Sequence, residues 1–382
     1  MKIQTLTPEE LSSPLIDKLA EFLAQGFPMD SAERWKKRFG YWWGANPNIL
    51  DGETIGWYLY DDDTNSISGF IGKIPIPFRY KDQQLRACAG TSWYVTEEMR
   101  GIQSTRLFMK YNQEKNADLF LDTTPTTPVQ KMLPDIGFIK IGGNSISNYM
   151  KVTSLKSFLS MLSSLFTKFA EEENGTKQTL FHIVSKSAAV CSVIVPKYKT
   201  RNSQIILSTD THEIRICPDA NPFIQYLHLH KKGDTIELSK DKTTLDWILF
   251  SPEVQALLRR TTAQIFTKTG EYCGYFIYDI QHVGKDTTLR IRELQLLKPE
   301  DAVIKLILKH VKIEAKNAGC AAVYSGLQNP DPAVDKLLHK HILLSLKTDN
   351  RYYVKFRKNV ITDVDPYSIY VPSDLDPDVG FI

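Results

Sequence analysis

The sequence is poor in the features that usually mark a chemistry. Only five cysteines occur in 382 residues, at Cys88, Cys191, Cys217, Cys273 and Cys320. None forms a Cys-x-x-Cys pair or stands at ligand spacing from a histidine, so neither a zinc site nor a disulfide framework is indicated. An odd count without pattern suits a reducing compartment. The longest apolar stretch, near Ala188 to Pro196, is too short to cross a bilayer. The opening residues, MKIQTLTPEELSSPL, lack the apolar centre of a signal peptide, and the expected location is the cytoplasm. The formal charge of +3 is too small to imply nucleic acid, and no DNA partner is expected. No P-loop, dinucleotide-binding glycine turn or Ser-His-Asp set is present. His228 with His230, and His339 with His341, lie two residues apart, which puts each pair on different faces of a helix and gives no metal site.

What is present is an ordinary globular composition, 42% hydrophobic and 24% charged, in a chain long enough for two or three domains. The most informative stretch is Arg86 to Lys110, RACAGTSWYVTEEMRGIQSTRLFMK. It reads as a strand, a sharp turn and the start of a helix. Leu107, Phe108 and Tyr111 fall on one helical face. A glycine at the junction, Gly101, permits close backbone approach to a ligand, and the first helical amides favour an anion ahead of them.

Thr7-Pro8-Glu9-Glu10 opens a helix with Leu15, Ile16, Leu19, Phe22 and Leu23 on one face. A second helix runs from Ser31 to Trp43, its tryptophans forming a core or cleft wall, and Asn46-Pro47-Asn48 ends it. Strands follow at 54–60, 68–78 and 86–95, with turns at 61–65 and 81–82. After the helix come a buried strand at 117–122, a Thr-Thr-Pro-Thr-Thr-Pro run, a short helix through Val129, Met132 and Leu133, and a last strand to Met150.

Three features give the first half a resemblance to the GNAT superfamily of acyl-CoA-dependent N-acyltransferases: Gly69-Phe70-Ile71-Gly72 before the central strand, Tyr94-Val95 followed by Arg100-Gly101, and Ile136-Gly137-Phe138 closing the short helix. The resemblance covers about residues 1–150. It implies that the Arg-Gly turn and the helix start bind the pyrophosphate of coenzyme A, with the pantetheine arm between splayed strands. The cofactor-binding residues it implies are Tyr94, Val95, Arg100, Gly101, Ile102, Gln103, Ser104 and Thr105. Two departures stand out. Gln103 and Thr105 occupy positions where the family has small residues, and would crowd a pyrophosphate unless the loop is reshaped. Leu133 stands where the family's acid tyrosine belongs.

In the second half, 153–170 has helical spacing throughout and is expected to pack between domains, and 171–175 is a surface connection. The pattern of the first half then returns. Residues 246–252 parallel the Trp-rich helix and its stop. Gly274-Tyr275-Phe276-Ile277 parallels Gly69 to Gly72, 288–297 the central strand and 300–317 its helix. Val334-Asp335-Lys336-Leu337-Leu338 matches Val129-Gln130-Lys131-Met132-Leu133, and Tyr352 to Phe356 closes the sheet. Lys298-Pro299-Glu300-Asp301 replaces Arg-Gly, and its carboxylates repel a phosphate.

The fold class expected is α+β, two tandem GNAT-like domains, each a mixed, mostly antiparallel sheet flanked by helices. The divisions expected are 1–152, a connecting segment 153–205, a degenerate second domain 206–358 and an acidic, proline-rich tail 359–382 lying as an irregular strap across a surface. The expected activity is transfer of an acyl group, acetyl foremost, from acyl-CoA to a small-molecule or peptide amine in an interdomain cleft. Thr91, Ser92 and Trp93 are placed where acceptor meets thioester. Asp122 is the base, or else caps the Thr-rich turn. Glu293, between Arg290 and Arg292, lines the cleft or forms a cross-strand ion pair. Two other readings stay open: an aminoacyl transferase of the Fem type using charged tRNA, and a non-catalytic acyl-CoA-binding or interaction protein.

Overall fold

A computed structural model describes residues 2–28, 30–142, 145–153, 205–230, 234–283, 286–327, 331–342, 344–349, 351–373, 375 and 377. The expected helix at 154–170, the connection at 171–175, residues 176–204 and the tail beyond 377 lie outside the described residues. The chain divides into two compact units. The first comprises Met1–Asn144, Lys231–Leu257 and Asn350–Ile382, the second Ser145–His230 and Leu258–Asp349.

The first unit opens with the capping box read from the sequence: the Thr7 amide donates to Glu10 Oε2 at 2.8 Å. Helix α1 (Pro14–Gly26) buries Ile16, Leu19, Phe22 and Leu23. Helix α2 (Ala32–Phe39) starts where the Arg34 amide donates to Ser31 Oγ, and it runs into a π-helical turn at Gly40–Gly44. Trp35, Trp42 and Trp43 are all buried core.

The strands from this part of the chain are β1 (Lys2–Leu6), β2 (Gly56–Asp61), β3 (Ser66–Tyr80), β4 (Gln83–Val95), β5 (Leu119–Asp122) and β6 (Ile139–Lys140). Helices α3 (Ile102–Asn112) and α4 (Thr127–Met132) flank β5 in sequence. Next come β7 (Ser145–Val152), β8 (Ile205–Ser208), β9 (His212–Ile216) and β10 (Glu237–Leu238). The rest are β11 (Thr261–Thr267), β12 (Tyr272–Val283), β13 (Asp286–Leu296), β14 (Ala322–Ser325), β15 (Leu344–Asp349) and β16 (Tyr353–Phe356). The first sheet has the order β1-β2-β3-β4-β5-β16-β6 with β10 on β3, and the second β15-β7-β14-β13-β12-β11-β9-β8. Pairing is antiparallel except at β4–β5 and β13–β14, so each sheet has one parallel step at the same place in the repeat.

The two closing strands are exchanged. Both form where the sequence pattern puts them, but β16 lies between β5 and β6, and β7 lies between β14 and β15. Each therefore closes the sheet of the other half. A strand's alternating pattern fixes which face is buried, not which sheet supplies its neighbours. Residues 231–257 also depart from the expected divisions. They belong to the first unit, where Trp247 Nε1 donates to the Tyr41 carbonyl at 2.8 Å. The repeat is still visible locally, since Asp246–Phe250 forms a π-helical turn like that at Gly40–Gly44. The tail is more firmly built in than a strap. Tyr370 stacks on Phe78 and its hydroxyl lies 2.9 Å from that of Tyr352, while Trp42 Nε1 donates to the Pro377 carbonyl at 3.3 Å.

In the second unit the helix Asp301–Asn317 buries His310, whose Nε2 lies 3.3 Å from the Tyr278 hydroxyl. Burial pushes this imidazole down from 6.5 to about 4. Between those values the unfolded chain takes up a proton that the folded chain refuses, so stability falls as pH drops through this window. The loss reaches up to about 3 kcal/mol by about pH 4. Urea titrations between about pH 7 and pH 4.5 are expected to show it in the native chain. His310→Phe should be flatter over the same range, and equal slopes for the two proteins would refute the assignment.

Candidate active site

Strands β4 and β5 pair in parallel only from Ala87↔Leu119 to Ala89↔Leu121. Beyond that rung β4 runs on to Val95, while β5 ends at Asp122 and the chain turns away through the Thr-Pro run. The strands part, and a cavity of about 620 Å³ opens between them. Thr91 to Val95 line one side, and Asp122, Thr124, Pro125, Thr126, Pro128, Val129 and Met132 the other. Phe27, Arg100 and Ser104 complete the lining.

Within the cavity wall β4 carries a bulge. Phe70 pairs with Tyr94 and Gly72 with Thr91, so Ser92 and Trp93 together oppose Ile71. Ser92 has φ +54°, a left-handed conformation that costs a non-glycine residue of order 1 kcal/mol and gathers at functional sites. A bulge removes a residue from the ladder and re-aims its neighbours. Trp93 turns onto Phe108, ring centroids 4.6 Å apart, and its buried Nε1 has no hydrogen-bond partner among the described residues. Tyr94 leans the other way, against Phe22 at 5.0 Å and Phe27 at 5.8 Å. Gly26 is required there, since a Cβ would stand 2.5 Å from the Tyr94 ring.

The mouth is the turn read from the sequence. Thr96 to Met99 form a single tight turn, and Gly101 enters α3 with φ +88°, which only glycine adopts without strain. Arg100 is two-thirds exposed, with Nη1 3.7 Å from Glu97 Oε1, a surface pair that leaves it able to meet another anion. Of the eight expected cofactor residues, Tyr94, Val95, Arg100 and Ser104 line the cavity. Gly101 shapes the turn, and Ile102 is 78% exposed beside it. Of the two expected carboxylates, Asp122 lines the cavity. Glu293 is not among the lining residues. It lies on β13 in the second unit, where Tyr275 donates to it at 2.5 Å. Among the described residues no cluster of His, Cys, Asp or Glu is placed to hold a metal ion, and no helix is long and apolar enough to cross a membrane.

No family model and no curated protein matches the sequence. Solved structures do match the fold. Yeast (Saccharomyces cerevisiae) N-myristoyltransferase with bound myristoyl-CoA superposes with a TM-score of 0.59 at 11% identity, covering 100% of this chain and 84% of that one. A second structure of the same yeast enzyme gives 0.56 at 11% identity, with 100% and 89% covered. The chain has the tandem GNAT fold. A GCN5-related N-acetyltransferase from Anabaena variabilis is also similar, at a TM-score of 0.48 and 11% identity, with 93% of this chain and 72% of that one covered. At such identities the likeness extends to the fold.

Within the GNAT fold, the side chains of Gln103 and Thr105 are engaged by partners of their own. Thr105 Oγ1 turns back to donate to the Gly101 carbonyl at 2.9 Å, and Gln103 Oε1 accepts from Arg106. Neither lines the cavity, and Ser104 is the side chain that does. Leu133 is fully buried core, and no tyrosine lines the cavity on that side. In the second GNAT-like unit the matching helix start already holds an anion of its own. The Asp301 carboxylate is bound by Lys305 at 2.7 Å, Lys340 at 2.8 Å and His341 at 2.6 Å, which keep it well below the usual carboxylate range. The sequence reading missed Phe27 and the far wall, although the Thr-Pro run was the visible signal for the latter: prolines hold that wall open where a continuing strand would close it.

Proposed function

We propose that the chain is an acyl-CoA-dependent N-acyltransferase whose cofactor lies in the β4–β5 gap of the first unit. The observation that carries this is the coincidence of three things in one cavity: parted parallel strands, a bulge with a left-handed residue, and a positive-φ glycine leading into a helix start beside Arg100. The Arg100 guanidinium and the first amides of α3 suit a pyrophosphate. The strand edges left by the parting offer backbone groups to the amides of a pantetheine arm. The bulge residue lies outside the ladder, so its amide is available to a developing oxyanion on a thioester carbonyl. In this reading Asp122, half-buried in the same cavity, takes the proton from an attacking amine.

The cavity opens to solvent, and acetyl, the acyl group expected from the sequence, is the one tested here.

The test is calorimetry with acetyl-CoA on the native chain and on Arg100→Glu. Binding near the micromolar range, roughly −8 kcal/mol, is expected. The charge reversal should weaken it by about tenfold or more. Equal affinity for the two proteins would remove the turn from the site.

A further inference from the structure

Tyr111, on the core side of α3, is fully buried, with its ring edge-on to Phe108 and Phe120. Its hydroxyl lies 2.9 Å from the Cys88 carbonyl on β4 and 2.8 Å from the Leu121 carbonyl on β5. Leu121 belongs to the last rung between these strands, Ala89↔Leu121. One oxygen atom thus spans the vertex at which the strands part. The next residue on β4 is Gly90, and a Cβ there would stand 3.1 Å from Tyr111 Cζ and 3.3 Å from the hydroxyl oxygen. The absence of a side chain at 90 is what lets the phenol reach the vertex. A carbonyl oxygen has two lone pairs, so at this last rung the buried hydroxyl can share its one proton between both carbonyls in addition to the ladder.

We infer that Tyr111 is a positioning residue of the acyl-CoA site: its hydroxyl, bridging a carbonyl on each strand, fixes where β4 and β5 part and hence the width of the gap for the pantetheine arm. The inference rests on the reading of that gap as the cofactor site. Without the hydroxyl this link between the strands at their last rung is lost, so they are free to shift there, which alters the gap and leaves the helix start untouched.

The test compares two probes by calorimetry. Acetyl-CoA carries the arm, and adenosine 3′,5′-bisphosphate carries the nucleotide without it. Tyr111→Phe is expected to weaken acetyl-CoA by about tenfold or more and to leave the bisphosphate unchanged. Gly90→Ala, which pushes on the ring from the other side, should give the same selective loss. Unchanged acetyl-CoA affinity in both variants would overturn the inference, as would equal weakening of both probes, which marks a general structural role. If the native chain binds the bisphosphate but not acetyl-CoA, or neither probe, the reading of the gap itself fails, and the role of Tyr111 falls with it.

Discussion

Expressed alone, residues 1–152 should fail to fold, and residues 206–358 should fail likewise. The first fragment lacks β16, which pairs Tyr353 to Phe356 with Leu119 to Asp122 and also seats β6. Val354 and Phe356 are buried, and losing two such side chains forfeits about 3–6 kcal/mol, comparable with the whole stability of a small domain. The fragment also loses 231–257, with buried Leu238, Leu245 and Trp247, and it keeps β7 without its neighbours β14 and β15. The second fragment has the converse defect: β14 loses β7, and β16 is left without β5. Circular dichroism and urea titration check both. Mixing 1–152 with 205–382 supplies every described strand and should restore a cooperative transition. A cooperative transition in 1–152 alone would refute the coupling.

Lys73→Met is expected to cost about 3–5 kcal/mol, the usual size for breaking a buried ion pair from one side. Lys73 is 1% exposed, inside a strand whose neighbours are almost all apolar. Its Nζ lies 2.7 Å from Glu53 Oε1 and 2.8 Å from Glu114 Oε2. Glu53 keeps two other donors, Arg86 Nη2 at 2.5 Å and the Leu50 amide at 2.9 Å. Glu114 depends more on the lysine. Burial pushes its carboxyl up, but the Lys73 hydrogen bond and nearby amides outweigh that and hold it below the ordinary value. Because Glu114 follows the C-terminal end of α3, the network ties the helix of the candidate site to β3. Adding Glu114→Gln to the Lys73→Met variant should recover at least about 1 kcal/mol by removing the stranded charge. A cost below about 1 kcal/mol for the single variant would show that the network is not a net contributor.

The sequence made the local elements legible and left their long-range pairing hidden. Arg86 to Lys110 announced a strand, turn and helix because the alternation of Ala87, Ala89 and Trp93 gives way to helical spacing at Leu107, Phe108 and Tyr111 across a glycine. The second half was legible because the same order of elements and one five-residue match recur. The exchange of β7 and β16 was not, since nothing in YMKV or YVKF distinguishes a strand that closes its own sheet from one that closes the other. The bulge was hidden for a related reason: a left-handed residue usually advertises itself as glycine or asparagine, and here it is Ser92. Tyr111 read as one apolar face residue among three, and its hydroxyl acquires a role only when β4 and β5 stand on either side of it. Lys73 was the exception with a visible signal, a lone charge within SGFIGKIPIPF, which predicts a buried partner without naming it.

If acyl-CoA occupies the gap between β4 and β5, hydrogen exchange of the native chain should change when acetyl-CoA is added. Exchange should slow at 91–95 along β4, at 101–105 in the turn and first turn of α3, and at 122–129 on the opposite wall. The start of the helix Asp301–Asn317, whose anion position Asp301 already fills, should not change. Protection confined to the second unit, or no change at any of these segments with acetyl-CoA at saturating concentration, would contradict it.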